Sequence, residues 1–591
     1  MSTKHYYTDE RNAQIVIALL KAHGIRDLVI SPGGTNSRFA LSVQGDSDFQ
    51  LYSAIDERHA AYLACGIAEE SGRPVVICCT GATASRNYMS GLTEAYYRKL
   101  PILAITCSQI KSHLGNLYPQ MTDRYAIPND IVRVSVQCPI PHTNEEERYC
   151  ELEATKAILA LTRHGGGPAH INLETSFCRT FSVEVLPKVR KINCINLADS
   201  EWPQLDKKRK IIVWIGSHRP FSESEKAALE LFSQSNDAVV LGDLTSNFTS
   251  PVMIHSSILC YQKGSISNPE YIKLLPDLII YIGEISGDYA TASWLRCGAE
   301  TWRVSIDGEI KDFFGTLSTM FEMPESMFFL KYAENRNENI SEYRDAWKKA
   351  IEKIKITSAL ELPFSGLYIA KKLSERLNSQ SKLHLGILNP LRCFNFFPPE
   401  TDNVFCNVGG FGIDGNVSSL IGASLVNKNK LYYCVVGDLS FFYDLNSIGN
   451  RHVGNNIRIL IVNNGEGGEF SIPGTTSDLP YCGEKVHEYI AARGHFGNQS
   501  RKLVKNYAED LNFYYLTATC PSELDASLDL FCNAQYEKSI ILECFTSVYD
   551  DRTALEILRE INPYVEVTTS KGIKSLIPDN IKKVVKIAVG K

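Results

Sequence analysis

Two runs decide how this chain is read: Tyr432-Tyr433-Cys434-Val435-Val436-Gly437-Asp438-Leu439-Ser440 and Ile457-Arg458-Ile459-Leu460-Ile461-Val462-Asn463-Asn464-Gly465-Glu466-Gly467-Gly468. Each opens with a short apolar segment of strand character and stops abruptly at polar or glycine residues. The interval between them has room for one helix, so the pair reads as a strand–helix–strand crossover with parallel strands. Asp438 and Asn464 then lie together at the carboxyl ends of neighbouring strands, where open α/β sheets bind ligands. A carboxylate and an amide oxygen suit Mg²⁺, which takes few protein ligands and completes its shell with phosphate oxygens and water.

The same alternation extends outward from this unit. Asn12 to His23 and Glu57 to Glu70 have helical period, while Asp27 to Ile30, Gln50 to Ala54, Val75 to Thr80 and Pro101 to Thr106 read as strands. Further strands are predicted at Ile211 to Gly216, Ala238 to Gly242, Leu278 to Ile282 and Trp302 to Ile306. Strands alternating with helices predict an α/β protein of three consecutive parallel-sheet domains, at 1–185, 186–350 and 351–591. The polar stretch Leu186 to Lys210 reads as one linker, and the charged stretch Tyr332 to Ser358 as a second connection. The last domain carries an extension ending in the basic tail Lys571 to Lys591, which reads as a lid or as a packed edge strand or helix.

With 591 residues, several domains are expected, because single cores stop growing near 250–300 residues. A net charge of −6 gives no electrostatic footprint for nucleic acid or for a membrane surface. No apolar run reaches the length of a membrane span, and the amino terminus lacks an apolar leader core. The seventeen cysteines include no Cys-x-x-Cys pair and read as reduced thiols in a cytoplasmic protein.

Other loops fit a ligand at the same sheet edges. Ser31-Pro32-Gly33-Gly34-Thr35-Asn36 and Thr80-Gly81-Ala82-Thr83 are strand-to-helix turns of small residues, and plain turns look the same. Asn407-Val408-Gly409-Gly410-Phe411-Gly412-Ile413-Asp414-Gly415 opens a helix, which suits an anion or a closely packed ring. Glu57, in Asp56-Glu57-Arg58, stands at a predicted helix start, where an acid read alone is a cap.

In this order the segments resemble thiamine-diphosphate (ThDP) enzymes. The branch is that of the menaquinone-pathway synthase making 2-succinyl-5-enolpyruvyl-6-hydroxy-3-cyclohexene-1-carboxylate from 2-oxoglutarate and isochorismate. The resemblance rests on Ser31-Pro32-Gly33, Asp56-Glu57-Arg58, Gly412-Ile413-Asp414-Gly415, Gly437-Asp438-Leu439-Ser440, Asp444-Leu445-Asn446, Asn463-Asn464 and Phe470-Ser471. It implies ThDP and Mg²⁺ as cofactors, with the metal on Asp438, Asn464 and the backbone carbonyl of Glu466. It implies that Glu57 shares a proton with the aminopyrimidine and that Ile413 bends the cofactor. Gly33, Thr80, Asn407, Gly409, Gly437, Leu439, Ser440 and Phe470 would line the cofactor, and Gln120 would act beside the reactive carbon. His113 is a candidate proton shuttle, although a lone loop histidine is more often a surface residue, and Gln120 reads equally as an exposed loop glutamine. The resemblance further implies a homodimer or homotetramer in which the first domain meets a partner's third domain.

Positions that read substrate depart from the family. Where the synthase has arginines, this chain has Thr35, Gln109 and Val408, leaving Arg392. A bidentate Arg–carboxylate contact is not replaced by these side chains. Glu466 and Glu469 are expected to add negative charge nearby. Lys111, Arg86 and Arg124 are candidate replacement cations, and Thr35, Arg392 and His113 candidate substrate contacts. The function expected is a carboligase that decarboxylates a pyruvate-like 2-oxo acid and passes the acyl group to a carbonyl or other acceptor. Alternatives are a simple 2-oxo acid decarboxylase, the menaquinone-pathway synthase itself, or a ThDP-fold protein without turnover.

Overall fold

The computed structural model describes residues 4–206, 209–333, 341–356, 360–401, 403–535 and 537–564, so the tail Lys571 to Lys591 lies outside the described residues. The chain forms two compact units, Met1–Asn193 and Cys194–Lys591.

The first unit holds one six-stranded sheet. Its strands are β1 (Asp27–Ile30), β2 (Gln50–Ser53), β3 (Val75–Thr80), β4 (Ile102–Gln109), β5 (Val134–Cys138) and β6 (Ala169–Thr175), in the order β2-β1-β3-β4-β6-β5. All neighbours are parallel. The central strands β3, β4 and β6 are buried nearly end to end, because helices cover both faces of the sheet. Their small side chains, with Cys78, Cys79, Ala104 and Cys107 among them, let the covering helices pack closely. β4 runs three residues past the predicted end at Thr106, so Ser108 and Gln109 belong to the ladder rather than to a turn.

The second unit contains two sheets. The first has β7 (Asn193–Asn196), β8 (Ile211–Ile215), β9 (Val239–Gly242), β10 (Met253–Ile254), β11 (Leu278–Ile282), β12 (Glu300–Val304) and β13 (Leu317–Glu322), in the order β10-β9-β8-β11-β12-β13-β7. Its switch point, between β8 and β11, is closed by its own backbone. Ser217 N–H donates to the Ile285 carbonyl at 3.1 Å, and a side chain at Gly216 would overlap the carbonyl oxygen of Glu284. Two sequence readings change here. β7 lies inside the segment read as a linker. The charged stretch read as a second connection contains the helix Glu342–Ile356, whose Trp347 is fully buried against Trp294 at 5.3 Å. A high average charge concealed one apolar face.

The last sheet comprises β14 (Lys382–Leu385), β15 (Val404–Cys406), β16 (Tyr432–Gly437), β17 (Ile457–Asn463), β18 (Tyr514–Ala518) and β19 (Ile540–Phe545), in the order β15-β14-β16-β17-β19-β18. Its pairs are parallel, and the winding repeats that of the first sheet strand for strand. In both sheets the strand order reverses between the first and third strands, which opens a crevice at their carboxyl ends. No helix of the described residues is long and apolar enough to cross a membrane.

Candidate active site

β16 and β17 are neighbours with Gly437 opposite Val462, which brings the ends of the two runs quoted first side by side. A cavity of about 240 Å³ lies at this edge. Its wall includes the predicted residues Ile413, Gly437, Asp438, Leu439, Ser440, Asn464, Glu466 and Phe470. Ile387, Leu388 and Asn389, which follow β14, complete the crevice. Leu388 has φ of +70°, a conformation costly for a branched side chain and held here at the cavity wall. Asn407 and Gly409 are not among the lining residues. Asn407 accepts from Ser419 Oγ at 3.4 Å, and Gly409 faces open space.

Asp438 is the first residue of the helix Asp438–Tyr443 and is 2% exposed. Burial pushes its carboxyl up to about 7, with the Glu543 charge adding to the rise. No ion pair to Asp438 exists among the described residues. A buried acid at a cavity wall without a counter-charge fits a bound cation. Asn464 faces the same cavity, and its Nδ2 donates to Asp551 Oδ2 at 2.8 Å. That bond commits the amide nitrogen and leaves Oδ1, which accepts the Glu466 N–H at 3.3 Å, as the oxygen that could also meet a metal. The donor set is hard and oxygen-only, and no Cβ obstructs the space over Gly437. These residues fit Mg²⁺ with a diphosphate. Asp551 and Gly366 were not predicted; Asp551 lies far downstream in the helix Val548–Arg559, and no local motif marks it.

Ile413 is fixed through its carbonyl, which accepts from Ser440 Oγ at 2.5 Å and from Asn416 Nδ2 at 2.9 Å. Ser440 thus braces the loop that carries Ile413. Asp444 accepts from Ser418 N–H and Oγ, both at 2.6 Å, and tethers the first turn of the helix Asn416–Val426.

The expectation that Glu466 and Glu469 leave negative charge at the site is corrected. Glu466 is buried and answered by Arg493 Nε at 2.6 Å and His487 Nδ1 at 2.7 Å. Its side chain is therefore committed to the segment 486–493, and only its backbone is left for a metal. Glu469 forms a bidentate pair with Arg392, at 2.7 and 2.9 Å. The sequence offered no signal for His487 or Arg493.

In the first unit, Glu57 opens the helix Glu57–Ser71, but Asp56 is the cap, accepting from Arg58 N–H at 2.9 Å. Glu57 is half-buried, and its Oε2 accepts from Asn87 Nδ2 at 3.3 Å. Its carboxylate is therefore free of the capping role that the bland reading assigned to it. Gly33 is dictated by packing inside the turn: a Cβ would fall 2.7 Å from Thr80 Cβ. Thr35 is buried, donates to the Cys107 carbonyl at 2.7 Å and shares a short contact with the Thr80 hydroxyl. Its hydroxyl closes the β1 and β3 turns onto β4. His113 stacks on Tyr118 at 3.7 Å and bonds Gln109 Oε1 at 2.9 Å. Gln120 is exposed with φ of +64°. Arg124 is buried against Asn172 Oδ1 at 2.9 Å, Arg86 donates to the Asp123 carbonyl at 2.6 Å, and Lys111 lies over the Tyr125 ring.

Three parallel sheets with an acid–amide pair over a crevice define the class of ThDP-type α/β enzymes. Residues 11–127 match the family of the thiamine pyrophosphate enzyme, N-terminal TPP binding domain. A 2-succinyl-5-enolpyruvyl-6-hydroxy-3-cyclohexene-1-carboxylate synthase of Bacteroides fragilis is 30% identical over 572 residues, 93% of this chain and 98% of the relative. Proteins of the same name from Phocaeicola vulgatus and Flavobacterium johnsoniae are 30% and 29% identical, covering 93% and 92% of this chain and 98% and 97% of the relatives. The chain belongs to the thiamine-diphosphate-dependent enzymes, in the branch of these synthases.

Proposed function

We propose that this chain is a ThDP- and Mg²⁺-dependent ligase that removes the carboxylate of a 2-oxo acid and joins the acyl remainder to an acceptor. The observation that carries this reading is the uncompensated Asp438 beside Asn464 on one cavity at a sheet switch point. Asp438, Asn464 and the Glu466 carbonyl would hold the metal; Gly437, Leu439 and Ser440 would line the diphosphate, and Ile413 and Phe470 the ring. ThDP supplies the electron sink that lets a 2-oxo acid lose CO₂. Glu57 would hold the shared proton at its carboxyl, facing the aminopyrimidine from a second copy of the chain, with Gln120 orienting the substrate carbonyl. Leu388, Phe470 and Ile472 give the cavity an apolar wall that would disfavour water beside the reacting carboxylate. The domain limits 1–185, 186–350 and 351–591 go with this reading, as does a dimer or tetramer. The cysteines form no disulfide among the described residues, which favours a cytoplasmic setting.

The relatives favour the synthase's own reaction, from 2-oxoglutarate and isochorismate. A specific feature of this chain favours a second reading, the same chemistry on less anionic substrates: Thr35, Gln109 and Val408 carry no charge, and Arg392 is already paired. The test is CO₂ release by the protein with ThDP and Mg²⁺, using 2-oxoglutarate with isochorismate and, separately, pyruvate with and without aldehyde and ketone acceptors. Release that depends on an acceptor supports ligation; release indifferent to it turns the reading to a simple decarboxylase. No release from any 2-oxo acid would sink it.

A further inference from the structure

The Arg392–Glu469 pair stands at the cavity in a particular order. Glu469 is part of the cavity wall, whereas Arg392 is not, and the two are ion-paired. The end-on edge of the guanidinium is taken: Nη1 meets Glu469 Oε2 at 2.7 Å and also contacts Asn389 Oδ1, and Nη2 meets Glu469 Oε1 at 2.9 Å. The backbone just before Glu469 is closely packed. Glu469 belongs to the turn Gly468–Ser471, and a Cβ at Gly468 would fall 2.7 Å from Asn464 Nδ2 and 3.2 Å from Asn389 Nδ2. Among the described residues, no lysine, arginine or histidine lines the cavity. A ligand carboxylate entering there meets apolar groups such as Leu388, Phe470 and Ile472, and the face of an acid.

We propose that Glu469 is a specificity-determining residue that fills the carboxylate slot of Arg392 and so excludes substrates bearing a second carboxylate at this end of the cavity. Each edge of a guanidinium accepts one planar carboxylate, and here the end-on edge holds one that is built in. The substrate class that follows is a 2-oxo acid whose remaining end is uncharged. That identification rests on the ligase reading above, whereas the slot itself does not.

Removing the side chain of Glu469 leaves a mostly buried guanidinium without its counter-charge, which an added carboxylate can satisfy. In Glu469→Ala, glutarate and acetate should raise the thermal midpoint saturably relative to chloride at equal ionic strength. Wild type and the double variant Glu469→Ala with Arg392→Met should show no such rise. In turnover, the ratio of kcat/KM for 2-oxoglutarate over pyruvate should rise at least tenfold in Glu469→Ala. Glu469→Gln, which keeps the shape and one acceptor oxygen, should move the same way and serves if the alanine variant does not fold. A carboxylate response equal to that of wild type in the variant that folds, or a wild type preferring 2-oxoglutarate over pyruvate, overturns the proposal. The midpoint measurement needs no turnover, so it answers even if CO₂ release fails and the ligase reading falls.

Discussion

Asp551 Oδ2 accepts the Asn464 amide at 2.8 Å, and its other oxygen accepts the Gly366 N–H at 2.7 Å. One half-buried carboxylate from the helix Val548–Arg559 thereby fixes which way a proposed metal ligand faces. Burial pushes the Asp551 carboxyl upward, and the two donated bonds pull against that rise. Such outer partners orient ligands as the ligands orient the metal. Replacing Asp551 with Ala should free the Asn464 amide to rotate. Calorimetric titration with ThDP and Mg²⁺ should then give roughly 10–100-fold weaker binding. Unchanged affinity would leave Asp551 a purely structural residue.

Gly33 yields a stability prediction. Its Cα backs onto Thr80, so a Cβ added there would fall only 2.7 Å from Thr80 Cβ and 2.9 Å from Thr80 Cγ2. The β1 and β3 turns are tied at this point through Thr35. Gly33→Ala should cost about 1–3 kcal/mol by overpacking. Combining it with Thr80→Ser, which deletes Cγ2, should recover part of the loss in thermal melts. No recovery would mean that the strain lies elsewhere.

These two contacts also mark how far the sequence could be read. The strand ends at Gly437 and Asn463 were legible because abrupt apolar-to-polar transitions have one simple meaning in a parallel sheet. So were the crossover and the gathering of Asp438, Asn464 and Ile413, since each belongs to a motif contiguous in sequence. Asp551, His487 and Arg493 were not legible, because their roles arise only from folding distant segments onto the loop after β17. The helix containing the buried Trp347 was hidden for a different reason: charge averaged over a window conceals a single apolar stripe. The turn-closing bonds of Thr35 were not legible, because a turn hydroxyl looks the same whether it faces a ligand or closes the turn.

Glu57 is released from capping by Asp56, and this separates its two readings experimentally. If its carboxyl serves proton transfer, Glu57→Gln should keep the fold and lower turnover by about 10²–10⁴-fold, the range of general acid–base effects. Thermal stability should hold within about 0.5 kcal/mol, as for a surface change away from caps and cores. Binding of ThDP, followed by calorimetry, should persist. Full activity in that variant would remove Glu57 from the mechanism.

His170 gives the first unit a pH dependence whose sign is set by burial. Its ring is 2% exposed on β6, with Nε2 2.7 Å from Thr106 Oγ1 and Nδ1 2.8 Å from Ser135 Oγ. Burial, reinforced by the Arg124 charge, pushes its pKa down to about 3. In the unfolded chain the imidazole titrates at about 6.5. Between these values the unfolded state binds a proton that the folded state refuses, so stability rises with pH across the window. The contribution is complete above about pH 6.5 and is lost on acidification at about 1.4 kcal/mol per pH unit for one proton. His23 and His384, each pushed down to about 4, act in the same direction. Amide-exchange protection of β4 and β6, corrected for intrinsic rates, should fall between about pH 6.5 and 5 in the wild type. His170→Gln, which cannot take up the proton, should flatten that fall by about one proton's worth. An equally steep fall in the variant would assign the acid sensitivity of this sheet to other groups.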